Sequence, residues 1–417
     1  MSRFTIHSPA ILFVAGKQNR EQTGTALKLL GNSQVMEAED LATGLAMVKK
    51  NPESMLILDW QGIPSVRMLD EAQDPQATVG RPVFMIVEEE PDHFLAVMSD
   101  YTLAGKLPGP VVAADMVRLL RRYFEDTSDK TRTNQALERA RISRQQGQMK
   151  RALETLQALR RKVPGNSQVA LETADLLIAM ENWPEAGKII DETMREHPTV
   201  PRVMHLKARW LLHEERRDEA ASFLNRSLLL NPLHCDRLLS LGQMLLRMDR
   251  SAEAEARFQE ALRINPELSP ARIGVGTSRL LQESPEAMEF IGDLRSEQEK
   301  AAIFNSAGVI NVGFGKFTEA RKLYDLGLAF ISGNHLRARV TFNKCLAWLK
   351  EGQLQNAETE AYRSMELDPS FERAGDLLMQ IKARITGGGE GEAAARKIDF
   401  DVGEIETVMG ADFDDPI

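Results

Sequence analysis

Apolar positions follow two different rhythms along this chain. Up to about residue 124 they gather into short runs at 10–14, 55–58 and 83–87, with a weaker one at 101–105. Helical stretches lie between them, notably 41–50 and 111–123. Short apolar runs alternating with helices predict a parallel sheet covered by helices on both faces. Ligand chemistry in such a fold gathers at the carboxyl ends of the strands.

From residue 132 onward the rhythm becomes a repeat. Pro164, Pro198, Pro232 and Pro266 fall at steps of 34 residues. In phase with them stand small residues, Ala140, Ala174, Ala208 and Gly242 in one series and Ala152, Ala186, Ala220 and Ala254 in another. Two antiparallel helices approach closely only where side chains are small, and larger apolar residues fill the holes beside them. Proline closes each unit because it cannot continue the second helix, yet it suits entry to the next.

This pattern resembles the tetratricopeptide repeat, which implies an all-α solenoid of helix pairs that binds proteins or peptides. The best copy is 235–268, through Gly242, Leu245, Ala254, Phe258, Ala261 and Pro266. About seven units are expected over 132–371. Residues 269–300 are degenerate, with a shortened turn at Ser284-Pro285 and no closing proline. A lone amphipathic helix at 372–386 would cover the last apolar face.

Residues 1–124 resemble the receiver domain of bacterial response regulators, which implies a doubly wound, flavodoxin-like parallel sheet. That family carries an acidic pair after strand one, a phospho-accepting Asp after strand three, a hydroxyl after strand four and a Lys after strand five. The run Leu56-Ile57-Leu58-Asp59 matches the acceptor strand, and Lys106 supplies the lysine, although Leu107 separates it from Pro108. The acids are replaced by Ala15 and Gly16, and the hydroxyl by Val87. Phosphoryl transfer depends on positioning and on neutralising charge through Mg²⁺, which needs one or two well-placed carboxylates. Asp59 beside Ala15, Gly16 and Lys17 makes a poor Mg²⁺ site. The expectation is a pseudo-receiver in which Asp59 does not accept phosphate and pairs with Lys106 structurally.

No other catalytic or metal-binding constellation is present. Cys235 and Cys345 are too few for a disulfide framework or a cysteine-based zinc site. The glycine-rich segment 308–318 has the wrong spacing for a phosphate loop and falls in a repeat turn. His205 and His213 have no third ligand beside them. The expectation is a protein without enzymatic activity and without a cofactor. No apolar run reaches the ~20 residues needed to cross a bilayer, and the run at 10–14 is too short for a signal-peptide core, so a cytoplasmic location is expected.

Charge adds a candidate surface. In the tetratricopeptide family the first helix of each unit lines a concave groove, and the matching positions here hold Arg141, Arg144, Arg202, His205, Arg209, His213 and Arg247. Asp175 and Asp236 interrupt them. The resemblance therefore implies a basic groove for an acidic peptide, the alternative being ordinary solvated charges paired with nearby Glu. Net charge is −9, and residues 387–417 hold nine acids against two bases behind a Gly387-Gly388-Gly389 break. That tail either solubilises the chain, docks on a partner or occupies the groove itself.

Together the two resemblances, joined through 125–131, imply a non-enzymatic bacterial adaptor for two-component signalling, motility or polarity. The receiver-like part would bind a signalling protein or itself. Nucleic acid and membrane insertion are not expected. The alternative is a phosphorylatable response regulator with a repeat output domain.

Overall fold

The computed structural model describes residues 9–386, apart from 15, 33, 52–53, 73–81, 89–93, 95–100, 102 and 126–128. The chain divides into two compact units, Met1–Arg237 and Leu238–Ile417. Among the described residues no helix is long and apolar enough to cross a membrane.

The first unit begins with five parallel strands. They are β1 (Ala10–Phe13), β2 (Val35–Glu37), β3 (Met55–Asp59), β4 (Val83–Val87) and β5 (Gly105–Pro108), in the order β2-β1-β3-β4-β5. This 2-1-3-4-5 order is that of doubly wound sheets, in which the crevice between β1 and β3 receives ligands. One face packs Ile11, Leu56, Leu58 and Met85 beneath α2 (Leu41–Lys50) and α3 (Ile63–Ala72). The other packs Leu12, Ile57 and Ile86 beneath α1 (Lys17–Leu29) and α4 (Ala113–Glu125).

The last strand differs from the expected run at 101–105. It begins at Gly105 and pairs with β4 from Phe84 onward, while Tyr101 and Leu103 pack on the core beneath α3. The reason is its edge position. With one neighbour and alternate burial, β5 needs no continuous apolar run and tolerates Lys106 and Pro108. The same holds for β2 at the opposite edge, whose residues are half-buried or exposed.

Helix α5 (Asp129–Gln145) starts inside the stretch 125–131 and pairs with α6 (Met149–Lys162). Then come α7 (Ser167–Ala179) with α8 (Trp183–Glu196), and α9 (Pro201–His213) with α10 (Arg217–Leu230). Leu233, just beyond α10, packs against the core on the α2 and α3 face of the sheet. Helix α11 (Cys235–Arg247) contains the border between the two units.

The second unit continues with α12 (Ser251–Ile264), then α13 (Ser269–Leu281) with α14 (Ala287–Asp293). Helix α14 has only 7 residues, in the stretch where the repeat signature fades. Then come α15 (Glu297–Gly313) with α16 (Phe317–Phe330), α17 (Asn334–Lys350) with α18 (Leu354–Leu367), and α19 (Glu372–Ile385).

Steric need explains the small residues. A Cβ on Gly242 would lie 2.6 Å from the Phe258 ring, and one on Gly308 would lie 2.4 Å from the ring of buried Tyr324. Each hairpin turn also contains one left-handed residue: Gly147, Glu181, Glu215, Asp249 and Glu283 at steps of 34, then Gly315 and Gly352. At the second of these, Glu181 N–H donates to the Ile178 carbonyl and Asn182 N–H to that of Leu177, both at 2.9 Å. These bonds satisfy carbonyls at the end of the helix.

Candidate functional site

Asp59 closes β3 and is nearly buried. Gln61 Nε2 donates to its carboxylate at 2.6 Å, and Ser65 Oγ donates to its carbonyl at 2.8 Å. These bonds tie Asp59 to the start of α3. At the end of β1, Gly16 occupies the position before α1, and Ala15 lies outside the described residues. Arg20 turns back from α1 and donates to the Val14 carbonyl from Nε at 3.0 Å and Nη2 at 2.8 Å. Arg20, Gln61, Asp40 and Pro64 line a cavity of about 140 Å³. Glu39 lines it as well, so one guanidinium and two carboxylates share its wall.

Val87 is buried at the end of β4. The next residue, Glu88, accepts from Asn19 Nδ2 at 2.7 Å, while Asn19 Oδ1 accepts from Val111 N–H at 2.8 Å. The Asn19 side chain thus ties α1 to the residue after β4 and to the loop between β5 and α4. Asp59 is level with Ile86 and Lys106 with Met85. Strand alternation puts these two levels on opposite faces of the sheet. The Lys106 ammonium lies 5.0 Å from the centre of the Phe94 ring.

A second cluster joins the first helices of three consecutive helix pairs. Glu172 on α7 accepts from Arg141 Nη2 of α5 at 2.6 Å and from Arg202 Nη1 of α9 at 2.9 Å. Asp175, one turn further, accepts from Arg144 at 2.7 Å and from Arg209 at 2.6 Å. Burial alone would raise both acids. The guanidiniums outweigh it, holding Glu172 at about 2 and Asp175 well below the usual carboxylate range. Four guanidiniums thus converge on these two ionised carboxylates. Glu172 was the residue that sequence reasoning passed over. Its signal was an acid three residues from Asp175 on a helix otherwise rich in buried Val, Leu and Ala.

The remaining expected residues are placed differently. His205 lies 6.3 Å from His234 ring to ring, and burial together with Arg237 and Arg209 keeps it neutral, well below its ordinary pKa. His213 stacks flat on Trp183 with centroids 4.2 Å apart. Arg247 ends α11 in the second unit. Among the described residues no group of three or more His, Cys, Asp or Glu is arranged to hold a metal. Burial pushes both thiols up to about 12, so Cys235 and Cys345 are inert as nucleophiles near neutrality.

Comparison with known families matches residues 143–209, which include Arg144, Glu172, Asp175, Arg202 and Arg209, to the Tetratricopeptide repeat. Over this stretch the chain is similar to that repeat. Helix pairs with a left-handed residue in the turn also lie on either side of it in the chain. Comparison with curated proteins gives no match. Among solved structures, a tetratricopeptide repeat protein from Parabacteroides merdae is similar at 16% identity, over 60% of this chain and 98% of its own, with a TM-score of 0.42. The Pseudomonas aeruginosa pilF protein is similar at 15% identity, over 60% and 97%, with a TM-score of 0.37.

Proposed function

We propose that this protein is a non-enzymatic adaptor of a bacterial regulatory pathway, of the kind that serves two-component signalling, motility or polarity. Its repeats hold a carboxylate-bearing segment of a protein partner, and its sheet domain is a pseudo-receiver that works without phosphorylation. The observation that carries the reading is the row formed by Arg141, Arg144, Arg202 and Arg209 on Glu172 and Asp175. Guanidiniums already ordered by carboxylates lose little side-chain freedom when they take a further acidic group. Repeats of this family serve protein–protein interaction.

Affinity capture from the producing cell tests the first part, comparing wild type with Arg141→Ala plus Arg144→Ala. These guanidiniums are the more exposed, at 31% and 32%. A partner held by wild type and lost by the variant, with circular dichroism unchanged, supports the reading. Identical captured sets overturn it. For the sheet domain, the Arg20 guanidinium on the Val14 carbonyl favours the pseudo-receiver. Incubation with acetyl phosphate and Mg²⁺ is expected to leave the intact mass unchanged. A phosphoryl adduct lost in Asp59→Asn would make the protein a phosphorylatable regulator instead.

A further inference from the structure

A separate cavity of about 630 Å³ opens between the second and third helix pairs of the array, lined by Glu181, Trp183, Pro184, Trp210, His213 and Glu214. One wall is the half-buried Trp210, with Trp183 nearly buried beside it. Trp183 opens α8 and is held flat by the His213 ring, with an interplanar angle of 6°. Trp210 rests on Gly187, where a Cβ would lie 2.6 Å from the indole Nε1. Its ring already takes a cation, since Lys207 Nζ lies 4.0 Å from the centroid. Lys207 is itself anchored to Asp191 at 2.8 Å and does not line the cavity.

The rim is acidic. Glu181 sits in the α7–α8 turn and Glu214 caps the end of α9, and both are exposed. Among the described residues no ion pair within 4.0 Å is formed by either; Arg216, which is bound to Glu219 at 2.7 Å, also feels the charge of Glu214. The half-buried Trp210 indole beside two exposed carboxylates suits a planar cation, which stacks on the ring and bonds the carboxylate at its edge. A lysine ammonium lacks the plane, and an acidic group is repelled.

We propose that this cavity is a docking pocket for an arginine side chain of a partner peptide. It is distinct in residues and in charge from the arginine row, so a partner could present an acidic and a basic element to the same array.

The test is a titration of the full chain, ¹⁵N-labelled at tryptophan, with the peptide acetyl-Gly-Arg-Gly-amide, followed through the indole N–H signals. Trp183 and Trp210, assigned with single Phe variants, are expected to shift saturably with a dissociation constant on the order of 1 mM. Trp60 and Trp348 serve as internal controls. The matched citrulline peptide, planar but uncharged, is expected to leave the signals in place, and the lysine peptide to bind more weakly. Glu181→Gln plus Glu214→Gln should weaken arginine binding about tenfold without moving the melting temperature, since both side chains are exposed. Equal shifts with citrulline, unchanged affinity in the double variant, or no shift by about 10 mM would overturn the proposal.

Discussion

Arg209 donates to Asp175 at 2.6 Å, and the two residues occupy the same place in consecutive repeats, 34 positions apart. Opposite charges at one repeat position link the second helix pair to the third, and Arg144 extends the link back to the first at 2.7 Å. The repeats are thus joined by ion pairs as well as by their apolar faces.

The acid Glu172 makes stability depend on pH. Its folded pKa of about 2 lies below the ordinary 4.5, so its contribution is fully present above pH 4.5 and is lost as pH falls through about 2. Glu172→Gln, which leaves Arg141 and Arg202 facing a neutral amide, should cost about 1–3 kcal/mol at pH 7. Urea unfolding of both proteins should show that gap at pH 7 and its narrowing toward pH 2.

Glycines of the repeats separate into two kinds. Gly308→Ala should lose about 1–3 kcal/mol because the new methyl meets the buried Tyr324 ring. Gly375 in α19 has nothing within 4 Å of its missing Cβ. Gly375→Ala should gain about 0.5–1 kcal/mol from helix propensity alone. Thermal melts of the two variants should move in opposite directions.

Left-handed turn residues give a stabilisation test. Glu215, Asp249 and Glu283 adopt φ of 60°, 59° and 54°, where a Cβ is disfavoured and glycine is not. Replacing any one by Gly should raise stability by about 0.5–1 kcal/mol, while Gly147→Ala should lower it by a similar amount. Melting temperatures read both signs.

The acidic composition of residues 387–417 predicts that they compete for the arginine row. A labelled peptide spanning 397–417 should bind the chain ended at Thr386, more weakly as salt shortens the Debye length below ~10 Å. Arg141→Ala plus Arg144→Ala should weaken that binding. Fluorescence anisotropy at low and high salt is the measurement, and binding indifferent to both changes would exclude the groove as the tail's site.

The repeat was legible in the sequence because its cause is local. The regular hairpins place a small residue where the two helices cross and a proline where the pair ends, so Gly242 and Pro266 announce themselves wherever they recur. Strands β1, β3 and β4 were equally plain, since burial on both faces demands unbroken apolar runs such as Val83–Val87. Edge strands β2 and β5 were faint or displaced, because an edge leaves half its residues in water. Asp59 could be placed at a strand end, but the return of Arg20 to Val14 depends on how α1 lies across β1. Glu172 was the residue furthest from reach. Its partners Arg141 and Arg202 stand 31 and 30 residues away on either side. Which charges meet is decided by the directions of side chains on three packed helices. A list of charges in chain order carries no such directions, and only the packing of one repeat on the next supplies them.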